Sequence, residues 1–93
     1  MVNKNTLKIR KKLDQLDDYF LNLVKKRTLL VDKVLKNKKY KKDIVDKKRI
    51  KIILKNINKK SRHKNIDPKI TEPIWKSMIK AYIDYEFRNF KKK

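Results

Sequence analysis

Lysine supplies nearly all of the positive charge in this chain, yet arginine occupies five positions: 10, 27, 49, 62 and 88. The guanidinium is a rigid fork that meets a carboxylate at two points, whereas an ammonium is a point charge. Arg27 stands in an apolar series, Ile9, Leu13, Leu16, Phe20, Leu23, Arg27, Leu30, Val34, whose alternating steps of four and three keep one helix stripe on one side. A guanidinium in such a stripe needs an anion, or its burial costs several kcal/mol. The residues therefore predict an internal, arginine-lined pocket for a small anion.

Further charges fall on expected apolar faces. Lys38 is 11 residues after Arg27, about 20° of helical rotation, so the spacing puts both on one face of the first helix. Asp46 and Arg49 are three apart on the inner side of a second helix, and Glu86 follows Tyr82 by four on the apolar side of a third. Taken singly, each has an ordinary explanation: a surface pair for Asp46 and Arg49, a rim carboxylate for Glu86, a solvated ammonium for Lys38, core packing for Tyr82 and Trp75. His63 is expected to be exposed and uninvolved. Arg10 lies 17 residues before Arg27, about 25 Å along the same helix. Two such guanidiniums reach one small ligand only if one of them comes from an antiparallel partner chain.

The elements that must carry these groups are helical. The first is expected over about Thr6–Lys38, capped by Thr6 or Asn5, the second over about Asp43–Lys60, and Ser61–Asn65 as a connection. Asp67-Pro68 opens the third, with Asp at the cap and Pro in the first turn, and Pro73 is expected to kink or restart it. The inner face of the second reads Asp46, Arg49 or Ile50, Ile53 or Leu54, and Ile57. That of the third reads Trp75, Met78 or Ile79, Tyr82, Glu86 and Phe90. With no strand alternation and no internal repeat, the fold class is all-α: one domain over residues 1–93, a long N-terminal helix and two shorter ones. A chain of 93 residues buries only about 60–65% of its extended surface, and association is a natural way to enlarge so small a core.

Composition removes whole classes of chemistry. With no glycine, the glycine-dependent phosphate loops and dinucleotide fingerprints are excluded. With no cysteine there is no disulfide, thiolate nucleophile or cysteine metal site, and no metal is expected. No segment has the length and apolarity of a signal peptide or a membrane span, so a cytoplasmic, soluble protein is expected. The net charge of +20 invites a nucleic-acid reading. Enrichment in Lys, Asn and Ile is what A/T-rich coding produces, however, and the lysines run along every segment without interleaved aromatics. Nucleic acid is thus expected to bind only non-specifically, and the terminal Lys91-Lys92-Lys93 to be a solvated tail.

The order and spacing of these residues resemble the all-helical (type II) chorismate mutase family across essentially the whole chain. Leu7-x-x-Arg10-x-x-Leu13-x-x-Leu16-Asp17, Leu23-Val24-x-x-Arg27-x-x-Leu30 and Lys38 resemble its opening signature. Asp46-x-x-Arg49 resembles its second-helix motif, and Ile74-Trp75 through Tyr82-Ile83-x-x-Glu86 its third. The resemblance implies an intertwined homodimer of three-helix subunits that rearranges chorismate to prephenate without cofactor or covalent intermediate. By position, Arg27 and Arg10 of the partner subunit would hold the two substrate carboxylates. Lys38 would donate to the ether oxygen, and Asp46 and Arg49 would orient the ring end. A pericyclic step needs no nucleophile; it needs a flexible dianion held in a reactive shape and charge stabilised on the ether oxygen.

Two positions depart from the family pattern. Glu86 replaces a glutamine and donates to the ether oxygen only as the protonated acid, so the rate is expected to rise toward mildly acidic pH and Glu86→Gln to flatten the profile. Ile50 replaces a glutamate that contacts the ring hydroxyl and, with Tyr82, is closer to the related isochorismate-pyruvate lyases, which form salicylate. The reading is mutase first and lyase second. A basic nucleic-acid-binding module, or a catalytically silent interaction subunit, stands as the alternative of another class.

Overall fold

The computed structural model describes residues 3–91. Met1, Val2, Lys92 and Lys93, and with them the end of the expected lysine tail, lie outside the described residues. Among those described there are three α-helices and no strand: α1 (Lys4–Lys36), α2 (Lys47–His63) and α3 (Pro68–Asn89), with a short 3₁₀ turn at Lys41–Asp43. The expected all-α class is what the chain forms.

The chain divides into two compact units, residues 1–31 and residues 32–93. The first is most of α1. Its cap is Asn3, whose Oδ1 accepts from the Thr6 amide at 2.8 Å and the Thr6 hydroxyl at 3.0 Å. Asn3 displaces the expected Thr6 or Asn5 because its short amide side chain reaches the free amide three residues on. The apolar series does not face a core within the described residues. Leu16, Leu23 and Phe20 are 60%, 61% and 52% exposed, and Ile9 and Leu13 are as open. A 33-residue helix spans about 50 Å.

The second unit holds the last turn of α1, the 3₁₀ turn, α2 and α3. Helix α1 stops at Lys36, where the amides of Asn37 and Lys38 close onto the carbonyls of Val34 and Leu35 at 3.0 and 3.1 Å. Such i→i−3 bonds tighten a final turn and end the ladder. Lys38 is therefore past the helix, not on it as expected. Asp43 likewise does not start α2. Its carboxylate accepts from the Tyr40 amide at 3.3 Å and closes the 3₁₀ turn, and Asp46 caps α2 three residues later, accepting from the Arg49 amide at 3.0 Å.

Helix α2 also outruns its expected end, so Ser61, Arg62 and His63 are helical, with His63 exposed. It terminates where the Ile66 amide reaches the Ser61 carbonyl at 2.8 Å and the Asn65 amide reaches Arg62 at 3.2 Å. This paired closure requires a left-handed residue, and Asn65 at φ 58° takes the place glycine usually holds.

The start of α3 is as expected: Asp67 accepts from the Lys69 amide at 2.9 Å and Pro68 fills the first turn. The helix runs through Pro73 without restarting. Ser61 fastens α2 to α3. It is 4% exposed, donates to the Ile57 carbonyl at 2.6 Å, and shares a 2.7 Å hydrogen bond with the Thr71 hydroxyl.

Candidate functional site

Four described residues are buried: Leu35, Ile44, Ser61 and Glu86. Three of them are hydrogen-bonded to Lys38. Its amide donates to Leu35 at 3.1 Å, and its Nζ donates to the Ile44 carbonyl at 3.4 Å and to Glu86 Oε1 and Oε2 at 3.2 and 3.3 Å. The most enclosed part of the second unit is thus built around one ammonium. That arrangement follows from the chain termination of α1: a lysine beyond the last turn is free to turn inward, where one on the helix would be held at its surface. The 3₁₀ turn brings the Ile44 carbonyl to it, and Glu86 arrives from the inner face of α3.

The Lys38–Glu86 pair is shielded on both sides, with side-chain exposures of 18% and 8%. In such surroundings each charge depends on the other, because removal from water costs several kcal/mol per ion. The exposed pairs Lys76–Glu72 and Lys80–Asp84 are i,i+4 contacts along α3 that contribute a few tenths of a kcal/mol each.

The remaining expected site residues divide. Tyr82, one turn before Glu86, is half-buried on the same face of α3 as Trp75, Met78 and Ile79, as expected, whereas Phe90, expected on that face, is half-buried beyond the helix, as its extended C-cap. Ile50 is half-buried with Ile53, Leu54 and Ile57, so the inner face of α2 is apolar. Asp46 and Arg49 are exposed and do not lie on that face. Asp46 is outside the helix, at its cap, and Arg49 turns outward once Ile50 takes the inner position. Asp46 borders an open depression with Lys42, Val45 and Lys48. Both belong to the first unit: Arg27, which is half-buried on α1, and Arg10, which is exposed.

Sequence reasoning missed a second polar link. The Tyr85 hydroxyl donates to Asp32 Oδ1 at 2.7 Å, and the Tyr85 ring meets Tyr82 edge-on at 6.4 Å and 85°. The hydrogen bond to Asp32 raises the Tyr85 phenol above its ordinary value of 10.0. Burial and the charges of Asp32 and Tyr82 act the same way, and Arg88 acts against them. One signal for it was present: an acid in the last turns of a helix opposes the macrodipole and so needs a partner. The Ile44 carbonyl had no such signal, since a backbone acceptor at a turn leaves no trace in residue type.

Chemically, the centre is a fixed cation with a carboxylate and a carbonyl holding it. Among the described residues no group of His, Cys, Asp and Glu is arranged to hold a metal ion, and no helix is long and apolar enough to cross a membrane. Compared with known proteins, residues 9–87 match the family model described as chorismate mutase type II. No curated protein and no solved structure matches the chain significantly.

Proposed function

The chain belongs to the type II chorismate mutase family, and on that premise we propose that it is a chorismate mutase, converting chorismate to prephenate by intramolecular rearrangement. The observation that carries the reading is the enclosed Lys38 ammonium, held by Ile44 and Glu86. The reaction breaks a C–O bond and forms a C–C bond within one molecule, and negative charge grows on the ether oxygen. An ammonium has three N–H donors. One serves Ile44, one is shared by the two Glu86 oxygens, and one is left for the ether oxygen. A preorganised donor at a developing oxyanion contributes about 3–4 kcal/mol, a factor of ~10²–10³ in rate.

Glu86 aims Lys38 at the ether oxygen. Arg27 and Arg10 of the partner subunit grip the two carboxylates in a homodimer, while Asp46, Arg49, Ile50 and Tyr82 surround the ring. Asp46 and Arg49 are exposed in the single chain and take up this role on the substrate. The net charge of +20 draws a dianion toward the site, an effect that fades as salt screens it. No cofactor enters the scheme.

The test is turnover by the purified protein, followed by absorbance for loss of chorismate and by fluorescence for salicylate from isochorismate. Chorismate is consumed without salicylate formation, and Arg27→Ala lowers kcat/KM by about 10²-fold or more through loss of a two-point carboxylate grip. Full turnover in Arg27→Ala refutes the assignment of that arginine. Salicylate as the main product replaces mutase by lyase, and silence on both substrates removes the enzymatic reading.

A further inference from the structure

Two hydrogen-bonded links join the same two stretches of chain. Lys38, beyond α1, meets Glu86 of α3, and Asp32, in the last turns of α1, meets Tyr85 beside it. The links differ in stiffness. A lysine ammonium sits on four rotatable carbons, and its contacts to Glu86 are 3.2 and 3.3 Å. The phenol is a rigid ring, and its 2.7 Å bond to Asp32 is as short as a charge-assisted O–H···O bond should be. A flexible ammonium is placed accurately only if the backbone that carries it is already fixed. Asp32 stands six residues before Lys38 and Tyr85 one before Glu86.

We propose that Asp32 and Tyr85 are a positioning pair, which locks the end of α1 to α3 so that Lys38 and Glu86 meet in the reactive arrangement. The assignment rests on the mutase reading. The pair also sets Tyr82, since the Tyr85 ring packs edge-on against it and an edge-to-face contact fixes the orientation of both rings. Neither Asp32 nor Tyr85 touches the substrate in this assignment. They act through Lys38, Glu86 and Tyr82. The raised titration of the Tyr85 phenol agrees with a hydroxyl that keeps its proton while donating a hydrogen bond to a carboxylate.

The experiment uses the full chain and four proteins: wild type, Tyr85→Phe, Asp32→Asn and Asp32→Leu. Tyr85→Phe keeps the ring and removes only the hydroxyl. Asp32→Asn keeps an acceptor oxygen for the phenol, and Asp32→Leu keeps volume without one. Tyr85→Phe and Asp32→Leu are expected to lower kcat about tenfold with KM within about twofold, because a displaced donor weakens the transition state more than the bound ground state. Asp32→Asn is expected to retain kcat within about threefold. Equal losses in Asp32→Asn and Asp32→Leu, or parallel losses in kcat and 1/KM, overturn the positioning role.

A second measurement does not depend on activity. In ultraviolet titration of the wild type, the Tyr85 phenol ionises late, above its ordinary value of 10.0, and in Asp32→Leu it falls back toward that value. The absence of that late phenol overturns the hydrogen bond itself. A wild type inert on chorismate overturns the functional reading and this role with it. An active wild type whose Tyr85→Phe variant keeps its kcat overturns the pair alone.

Discussion

The Lys38–Glu86 pair makes a prediction about stability that separates a coupled pair from two independent contacts. At 3.2 Å the gross attraction is about 5 kcal/mol for an effective dielectric of about 20. Desolvation of two groups exposed by only 18% and 8% offsets most of it, so the net worth of the intact pair is small. Removing one partner is a different matter. Lys38→Met leaves the Glu86 carboxylate enclosed with neither of its two Nζ contacts, a loss of about 3–5 kcal/mol. Glu86→Gln leaves the ammonium an amide oxygen and the Ile44 carbonyl, so its loss is about 1–2 kcal/mol.

The double variant Lys38→Met/Glu86→Gln has no uncompensated charge, only a neutral amide short of a partner, and loses about 2–3 kcal/mol. The singles therefore sum to about 4–7 kcal/mol against about 2–3 for the double, a coupling of about 1–5 kcal/mol. Urea unfolding followed by circular dichroism measures all four proteins. Protomer concentration is held fixed because association would shift every midpoint, and unchanged m values confirm that stability alone has moved. If the two substitutions add within about 0.5 kcal/mol, the pair is not coupled in solution, and the enclosed ammonium described above does not exist.

Two further outcomes follow. Tyr85 carries a phenol raised by its bond to Asp32, so folding binds that proton more tightly than unfolding does. Its contribution is complete below the ordinary value of 10.0 and is lost as pH rises through the higher folded value. The stability difference between wild type and Tyr85→Phe thus shrinks above pH 10.0 in urea titrations, and a difference that stays constant there refutes the link. Second, if Arg10 serves its partner's site, Arg10→Ala and Arg27→Ala are each nearly inactive, and mixing them restores about a quarter of wild-type turnover. Half of randomly formed dimers are then mixed, and each has one intact site. No recovery after unfolding and joint refolding refutes the shared site.

How much could be read beforehand depended on whether the decisive chemistry was local. The start of α3 was legible because Asp67 and Pro68 act on their own neighbours, and its inner face followed because Trp75, Met78, Ile79 and Tyr82 are unambiguous in type. The start of α2 was not, because Asp43 and Asp46 both have cap chemistry three residues apart. Which of them caps the α-helix is settled by Asp43 closing on the Tyr40 amide. Its end was hidden for a compositional reason: a chain without glycine marks its left-handed stop with Asn65, a residue common throughout this sequence. Among the candidate site residues, the setting of Lys38 was not legible, since it lies past α1 and not on it. Arg49 was placed on the wrong side because Ile50, next to it, competes for the same face and wins by apolarity.

On the proposed reading, folding, assembly and catalysis would make one demand on this molecule. The described chain buries only Leu35 and Ile44 among its large apolar side chains, while the α1 series from Ile9 to Val34 is more than half exposed. An apolar stripe of that length is not stable facing water, and contiguous exposed apolar surface of this kind marks an interface. A second copy of the chain offers an equal stripe, and an antiparallel arrangement would also bring Arg10 of one copy to the region of Arg27 of the other, a distance of about 25 Å that no single helix can close. A rearrangement that uses no nucleophile or cofactor depends wholly on how firmly its donors are held. In the proposed homodimer, covering the stripe would provide that firmness, and the contact that completes the core would also complete the site.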